Sequence, residues 1–287
     1  MLLPQCTGSC LAVRITRHVL PAIRRGTTET VTTTTPETMR PNTLADVSEA
    51  QWSALARRAV FFGHQSVGAN IMAGVADILA QQPRLPLEVT ESKQLVGSAG
   101  FRHAAIGRND HPLEKMDEFV ALADGLGPDG IALMKLCYVD AHTHTDPASL
   151  FAEYQRRVTE LRTRNPGLTI VHVTMPLTGI ENWKGRVRAT LTGHAMQRDR
   201  NVVRHRYSEL MRAAYAGREP LFDLARLEST LPNGERTAYR AGGDTVPLLA
   251  ARYSDDGGHL NAESRRMVAE RLLVLLARLP RSGGVVN

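Results

Sequence analysis

Short apolar runs and amphipathic helical segments alternate along the chain from residue 52 onward, and this alternation constrains the fold more than any other feature. The apolar runs lie at residues 60–62, 85–89, 131–139, 168–173 and 221–225. The segments between them carry apolar residues three or four positions apart, as one face of a helix does. Strands that alternate with helices of this length form parallel sheets covered on both sides. We therefore predict an α/β fold, a three-layer α/β/α sandwich around a central, mainly parallel sheet of five strands.

The sequence divides into one predicted domain and two tails. Residues 45–280 contain neither an internal repeat nor a second apolar core, so we expect them to form a single domain. Residues 1–44 are basic and rich in threonine without any helical or strand periodicity, which is typical of a disordered or targeting tail. Residues 281–287 are expected to be a flexible C-terminal tail.

The charge and the cysteines exclude several classes of protein. Of a net charge of +6, half lies in the first forty residues, where five arginines face two glutamates. The predicted domain is thus close to neutral for its size, and we do not expect it to bind nucleic acid. No apolar run approaches the roughly 18 residues of a membrane span. Three cysteines make no disulfide framework, which favours a cytoplasmic location, although the basic N-terminal segment leaves export open.

A serine follows the first predicted strand, inside a turn that contains glycines. Residues 60–62 run directly into Gly63-His64-Gln65-Ser66-Val67-Gly68, and a helix follows. Such a turn exposes the hydroxyl of Ser66 and aims the amino end of the helix at it, which is what a nucleophilic serine requires. Alone, the same pattern is also typical of a helix cap or a tight turn.

A second polar motif precedes the last predicted helix. In Asp256-Gly257-Gly258-His259 the two glycines allow the carboxylate to fold back onto Nδ1 of the histidine, which leaves Nε2 free as a base. The alternative is a solvated turn. The two motifs together, one after the first strand and one before the last helix of a parallel sheet, favour a catalytic site.

Both motifs resemble those of a known family, the SGNH (GDSL-like) hydrolases. The segment Asp256-Gly257-Gly258-His259-Leu260-Asn261 is similar to the closing motif of that family, and residues 60–66 are similar to its opening strand and nucleophile block. The resemblance covers roughly residues 55–280. It implies Ser66 as nucleophile, His259 as general base and then acid, and Asp256 as the group that orients the imidazole. It also implies the backbone N–H groups of Ser66 and Gly107 as oxyanion donors.

The chain departs from the family pattern at two places. The usual Gly-Asp-Ser is His64-Gln65-Ser66 here, and the third strand ends in Cys137-Tyr138-Val139-Asp140 without the family's asparagine. We expect Asn109 to supply the missing oxyanion donor. Further polar or aromatic residues at the same sheet edge are candidates for substrate binding. They are His64, Gln65, Tyr138, Asp140, Thr174 and Trp183. Lys135, inside the third strand, is expected to be structural and to reach a carboxylate, because an unpaired buried lysine is unfavourable.

A competing arrangement follows the third strand. His142 and His144 alternate with Asp140 and Asp146, and alternate residues of an extended segment share a face, so the two histidines could bind a metal ion. The pair Asp146-Pro147, however, is also an ordinary helix start.

The sequence therefore favours a serine esterase without metal or organic cofactor. The resemblance implies small acyl esters as substrates, with O-acetyl groups on carbohydrates as the first candidates. Two alternatives remain. One is a metal-dependent hydrolase that uses His142 and His144, and the other is a non-catalytic carbohydrate-binding or acyltransferase relative. The sequence does not determine the oligomeric state.

Overall fold

A computed structural model describes residues 43–94, 99–180 and 197–281. Nearly all of the predicted N-terminal tail, most of the C-terminal tail and the candidate Trp183 lie outside these residues. The helices are α1 (Glu49–Ala56), α2 (Val67–Gln81), α3 (Pro112–Ala123), α4 (Pro147–Arg164), α5 (Gln197–Tyr215), α6 (Leu224–Ser229) and α7 (Ala262–Ala277). The strands are β1 (Ala59–His64), β2 (Val89–Glu91), β3 (Gly100–Ala105), β4 (Ile131–Met134), β5 (Thr169–Val173), β6 (Leu221–Phe222), β7 (Ala238–Ala241) and β8 (Asp244–Pro247).

Six of the described strands form one parallel sheet in the order β2-β3-β1-β4-β5-β6. Strand β1 lies in the middle, with Gly63 paired to Ala104 of β3 on one side and to Met134 of β4 on the other. Strands β7 and β8 form a separate antiparallel hairpin. The predicted α/β/α sandwich with a mainly parallel sheet is confirmed, with six strands in place of five.

Successive residues of the central strands enter two different apolar cores, as the pleat of a strand requires. Val60 and Phe62 of β1 pack on the side that carries α1, α2, α6 and α7. Phe61, between them, packs on the opposite side against α3, α4 and α5. All three side chains are at most 1% exposed, so the continuous apolar character of this run reflects burial on both faces of the sheet.

The predicted second strand is misplaced, and a whole strand is absent from the prediction. Residues 85–88 are not strand, because Pro86 in this run cannot donate to a ladder, and β2 begins only at Val89. Strand β3 falls between the second and third predicted strands, where no strand is predicted. Its sequence, GFRHAA, has two polar residues, Arg102 and His103, which are only partly buried. Because of these polar residues, the strand does not form an apolar run in the sequence.

Two predicted strands are shorter than their apolar runs. Strand β4 ends at Met134, and a 3₁₀ turn follows at Tyr138–Asp140. Strand β6 contains only Leu221–Phe222, because the Asp223 side chain accepts a hydrogen bond from the N–H of Arg226 and starts α6. Burial of the connections explains why both runs remain apolar beyond the strand ends.

Three helices begin at local sequence signals, a proline in the first turn or a capping side chain. Helices α3 and α4 begin at Pro112 and Pro147, and Asp146 accepts hydrogen bonds from the N–H groups of Ala148 and Ser149. Helix α7 follows Asn261, which accepts from the N–H of Ser264 at 3.1 Å. Among the described residues, no helix is both long and apolar enough to cross a membrane.

Candidate active site

The candidate site lies where the strand order reverses, at the carboxyl end of β1. Strand β1 is flanked by β3, which follows it along the chain, and by β4, which comes later and lies on its other side. Loops that leave such neighbouring strands in opposite directions open a crevice at the sheet edge. Ser66 follows β1, Gly107 follows β3, and Tyr138 follows β4. Three predicted site residues are therefore brought to one crevice by topology alone.

Ser66 holds an unusual backbone conformation at the amino end of α2. Its φ is 52° and its ψ is −110°, a combination that residues other than glycine rarely adopt. The sharp turn directs the hydroxyl away from the sheet and leaves the dipole of α2 aimed at the site. Gly68 permits this turn, because a Cβ at that position would lie 2.2 Å from Cβ of His64.

His259 and Asp256 meet Ser66 in a continuous hydrogen-bonded chain. Ser66 Oγ lies 2.7 Å from His259 Nε2, and His259 Nδ1 lies 2.7 Å from Asp256 Oδ2. The other carboxylate oxygen of Asp256 accepts from the N–H groups of Gly258 and His259, each at 2.8 Å. The sequence predicts this fold-back, and the structure brings the three side chains together.

The hydrogen bonds to Asp256 also control its ionisation. Partial burial opposes the charged carboxylate. The hydrogen bonds from the His259 N–H, the His259 ring and the Gly258 N–H outweigh this effect of burial. They hold the pKa of Asp256 well below its usual range. The carboxylate is therefore charged at neutral pH and accepts from Nδ1 of the imidazole. This fixes the tautomer in which Nε2 faces Ser66 as an acceptor.

The predicted oxyanion donors are only partly available. The N–H of Gly107 donates to Glu118 Oε2 of α3 at 2.7 Å, so in this structure it points at a carboxylate and not at a substrate. The side-chain oxygen of Asn109 accepts from Lys115 Nζ at 3.0 Å. The N–H of Ser66 has no acceptor among the described residues. Of the predicted backbone donors, only Ser66 is free to stabilise a developing negative charge.

Gln65 and His64, predicted to bind substrate, instead contact protein groups. Gln65 Nε2 donates to the carbonyl oxygen of Ile106 at 2.8 Å and also to that of Gly107, which ties the β3 loop to the serine turn. His64 Nε2 lies 3.0 Å from Nδ1 of His103. Burial, with His103 and Lys135 nearby, lowers the pKa of His64 to about 3, so this ring is neutral.

Asp140 and Thr174, two further candidates for substrate binding, are buried. Asp140 is 2% exposed and pairs with Lys115 Nζ at 2.7 Å, while it also accepts from the N–H groups of Cys137 and Asp110. Thr174 is fully buried and donates to Asp223 Oδ1. Asp140 thus joins the loops after β3 and β4 from behind, a structural role that the sequence analysis missed. Lys115 on the otherwise apolar face of α3 is the sequence signal that could have indicated it.

Tyr138 contacts the proposed nucleophile directly. The side chain of Ser66 is close enough to the Tyr138 hydroxyl to lower its pKa, against the larger effect of burial. The Tyr138 ring stands edge-on to that of His259, with centroids 5.9 Å apart. Burial raises the pKa of Tyr138, so the phenol keeps its proton at neutral pH. This residue, predicted only as a contact for substrate, lies against the reacting oxygen itself.

Lys135 forms no ion pair with a carboxylate of the described residues. It is 1% exposed, and its Nζ lies 3.3 Å from Cys137 Sγ and 3.5 Å from the carbonyl oxygen of Leu136. Because burial dominates over these weak acceptors, the pKa of Lys135 is lowered. The expectation that Lys135 is structural agrees with this position, but the partner is a thiol in place of an acid.

His142 and His144 stack on each other, with ring centroids 5.4 Å apart and planes at 4°. His142 Nε2 also pairs with Asp110. Within residues 43–94, 99–180 and 197–281, no group of three or more His, Cys, Asp or Glu side chains is placed to hold a metal ion.

No family model and no curated protein match this chain. Similar solved structures include the acetyl xylan esterase AlAXEase, which is 16% identical in sequence. The match covers 75% of this chain and 96% of the esterase chain, with a TM-score of 0.42. A protein from Parabacteroides merdae ATCC 43184 named as a GDSL-like lipase is 12% identical, with coverages of 77% and 95% and a TM-score of 0.43. A peptidoglycan O-acetylesterase is 14% identical, with coverages of 63% and 48% and a TM-score of 0.39.

These three proteins are SGNH-type hydrolases, the family that the sequence motifs resemble. At such identities and TM-scores the similarities carry no argument about activity. The chemistry assigned to the site therefore depends on the geometry of its own residues.

Proposed function

We propose that this protein is a serine hydrolase of the SGNH type that cleaves carboxylic esters of small acyl groups. The observation that carries the proposal is the chain from Ser66 Oγ through the His259 ring to Asp256, with both hydrogen bonds at 2.7 Å. The strained backbone of Ser66 adds support, because nucleophilic serines at strand-to-helix turns adopt such conformations. No metal or organic cofactor is required for this chemistry.

The reaction would proceed in two halves. Ser66 Oγ attacks the ester carbonyl carbon while His259 Nε2 takes its proton, and Asp256 stabilises the imidazolium that forms. His259 then gives the proton to the departing alcohol, which leaves an acyl group on Ser66. In the second half His259 activates a water molecule, which attacks the acyl carbon and releases the acid.

The substrate class follows from the sequence resemblance and from the position of the site. We propose small-molecule or carbohydrate esters, with O-acetyl groups as the first to test. Gln65 and Asp140 bond to protein groups, so substrate specificity must come from other residues around the crevice.

A fluorophosphonate probe tests the proposal, because it phosphonylates only an activated serine, with fluoride as the leaving group. We expect labelling of the wild-type protein and of Ser149→Ala, and none of Ser66→Ala. Ser149 is a suitable control because its hydroxyl is exposed and only caps α4 through Asp146. We further expect p-nitrophenyl acetate hydrolysis to survive EDTA and to fall at least ~10³-fold in Ser66→Ala.

Two results would contradict the proposal. Equal labelling of wild type and Ser66→Ala, or of neither, would remove Ser66 as a nucleophile. Inactivation by EDTA with full activity of Ser66→Ala would favour the metal-dependent alternative.

A further inference from the structure

The proposed site has one backbone oxyanion donor fewer than the sequence predicts. A tetrahedral intermediate places a full negative charge on the former carbonyl oxygen, and two or three donors usually stabilise it. Here the Gly107 N–H donates to Glu118, and the side-chain oxygen of Asn109 accepts from Lys115. The loop after β4 carries no asparagine. Of the two predicted backbone donors, only the Ser66 N–H remains, while the Nδ2 group of Asn109 is not engaged by the bond from Lys115.

Tyr138 brings another donor to the same place. The 3₁₀ turn Tyr138–Asp140 follows β4, the strand adjacent to β1, so the tyrosine lies at the crevice edge beside Ser66. The Ser66 side chain is close enough to the tyrosine hydroxyl to lower the pKa of Tyr138, against the larger effect of burial. The same oxygen lies close to the motif that holds the base, since a Cβ on Gly258 would be 3.2 Å away from it.

Proton counting determines which of the two hydroxyls, that of Tyr138 or that of Ser66, can donate to the other. Ser66 Oγ carries one proton, and in the state ready for attack that proton is donated to His259 Nε2. The tyrosine must then be the donor and Ser66 Oγ the acceptor. Because burial raises the pKa of Tyr138, its O–H is present throughout the neutral range.

Tyr138 is held in this position from behind. Its carbonyl oxygen accepts from Arg204 Nε at 2.9 Å, and the guanidinium lies 5.6 Å from the centroid of the tyrosine ring. Arg204 is fully buried and also donates to Thr178 Oγ1 and Asn201 Oδ1. A donor fixed in this way needs little reorganisation when charge develops, and such preorganisation makes oxyanion stabilisation effective.

We propose that the Tyr138 hydroxyl is an oxyanion donor, in the place where the resembled family uses an asparagine side chain; this inference rests on the proposed function. When Ser66 Oγ bonds to the carbonyl carbon, its proton passes to His259 Nε2 and the carbonyl π pair moves onto the carbonyl oxygen. The Tyr138 O–H then donates a hydrogen bond to that oxygen. Collapse of the intermediate returns the pair and expels the alcohol.

Tyr138→Phe tests this role, because it removes one oxygen atom and keeps the ring. We expect kcat for p-nitrophenyl acetate to fall about 10²-fold, with KM within threefold of the wild-type value. Affinity for an alkyl boronic acid, which forms a tetrahedral adduct on Ser66, should fall by a similar factor. The acid limb of the kcat/KM profile against pH should not move. Tyr154→Phe is the matched control, since its hydroxyl contacts His172 in the core under α4.

The outcomes separate this inference from the proposed function. If wild type is not labelled at Ser66, the proposed function fails. If wild type is active and Tyr138→Phe keeps kcat within threefold, only the tyrosine role is overturned. A loss that disappears at higher pH would assign Tyr138 to positioning of His259 and would also overturn it. Thermal unfolding of both tyrosine variants shows that the loss does not arise from unfolding.

Discussion

Ser66 illustrates how much of this site is determined by single residues. Its φ of 52° is unfavourable for any side chain with a Cβ, and such conformations cost of the order of 1–3 kcal/mol. Close contacts around the turn, such as that of Gly68 with His64, maintain it. These contacts hold the hydroxyl of Ser66 at the carboxyl edge of the sheet against the backbone strain. The stability of the fold and the placement of the proposed nucleophile therefore oppose each other at this position.

Two substitutions at Ser66 measure how much its backbone conformation destabilises the fold. We expect Ser66→Gly to unfold at a higher denaturant concentration than Ser66→Ala, with a difference of about 1 kcal/mol, because glycine adopts positive φ without strain. Both variants should lose esterase activity equally. Chemical denaturation of the pair gives the difference directly. If alanine were as stable as glycine here, the backbone of Ser66 would not be strained.

The sequence could predict some residues of the site and not others for a physical reason. Ser66, Asp256 and His259 belong to short contiguous motifs whose local turns determine their directions. Gly107 belongs to such a loop too, yet its N–H donates to Glu118, one element further along the chain. Contacts of that kind depend on how α3 packs, and local spacing does not encode this packing. The proposed catalytic role of each residue remains a prediction until activity is measured.

At the scale of elements, two helices set the distance between nucleophile and base. Helix α2 begins directly after Ser66, and α7 begins three residues after His259. They pack together so closely that a Cβ on Gly74 would lie 2.3 Å from the carbonyl oxygen of Arg265. The gap from Ser66 to His259 is therefore determined by helix packing and not by the loops that carry the two residues.

Gly74→Ala should disturb this packing. Alanine is the better helix former by about 1 kcal/mol, but the contact with the Arg265 backbone should reverse the effect. We expect a net loss of about 1–3 kcal/mol in unfolding free energy and a lower kcat. Gly125→Ala is the control, because nothing lies within 4 Å of its added Cβ and its φ is not positive. A Gly74→Ala protein as stable as wild type would show that the helices can separate freely.

Among the elements, helix starts can be predicted from the sequence more readily than strand β3. The helix start that the pair Asp146-Pro147 marks is a local feature, and α4 begins there; α3 and α7 likewise begin at local signals, Pro112 and the cap Asn261. Strand β3 is not apparent, because Arg102 and His103 interrupt its apolar character. Its place in the sheet depends on pairing with β1, which the sequence of β3 does not reveal.

For the whole molecule, a buried carboxyl links stability to pH. Glu228 is fully buried, one of its oxygens accepts from the Leu177 N–H at 2.7 Å, and the other has no partner among the described residues. Burial raises the pKa of Glu228 from 4.5 to about 8. Between these values the folded protein keeps a proton that the unfolded chain releases. The contribution of Glu228 to stability is therefore complete below pH 4.5 and is lost as the pH rises towards 8.

Glu228→Gln isolates this effect, because glutamine cannot ionise and can still accept from Leu177. We expect the unfolding free energy of the wild type to fall relative to the variant between pH 5 and pH 8, by at most ~1.4 kcal/mol per pH unit. Above pH 8 the difference should become constant. Urea denaturation at several pH values provides the measurement, and a difference that does not change with pH would contradict the assignment.

The proposed nucleophile and its base are 193 residues apart in the chain. During synthesis the serine turn is therefore made early, while the histidine that must activate it comes near the end of the domain. If the proposed mechanism holds, the hydroxyl of Ser66 stays an ordinary alcohol until α7 docks against α2 and brings His259 to it. The order of the elements along the chain would then delay the proposed reactivity until the last helix is in place.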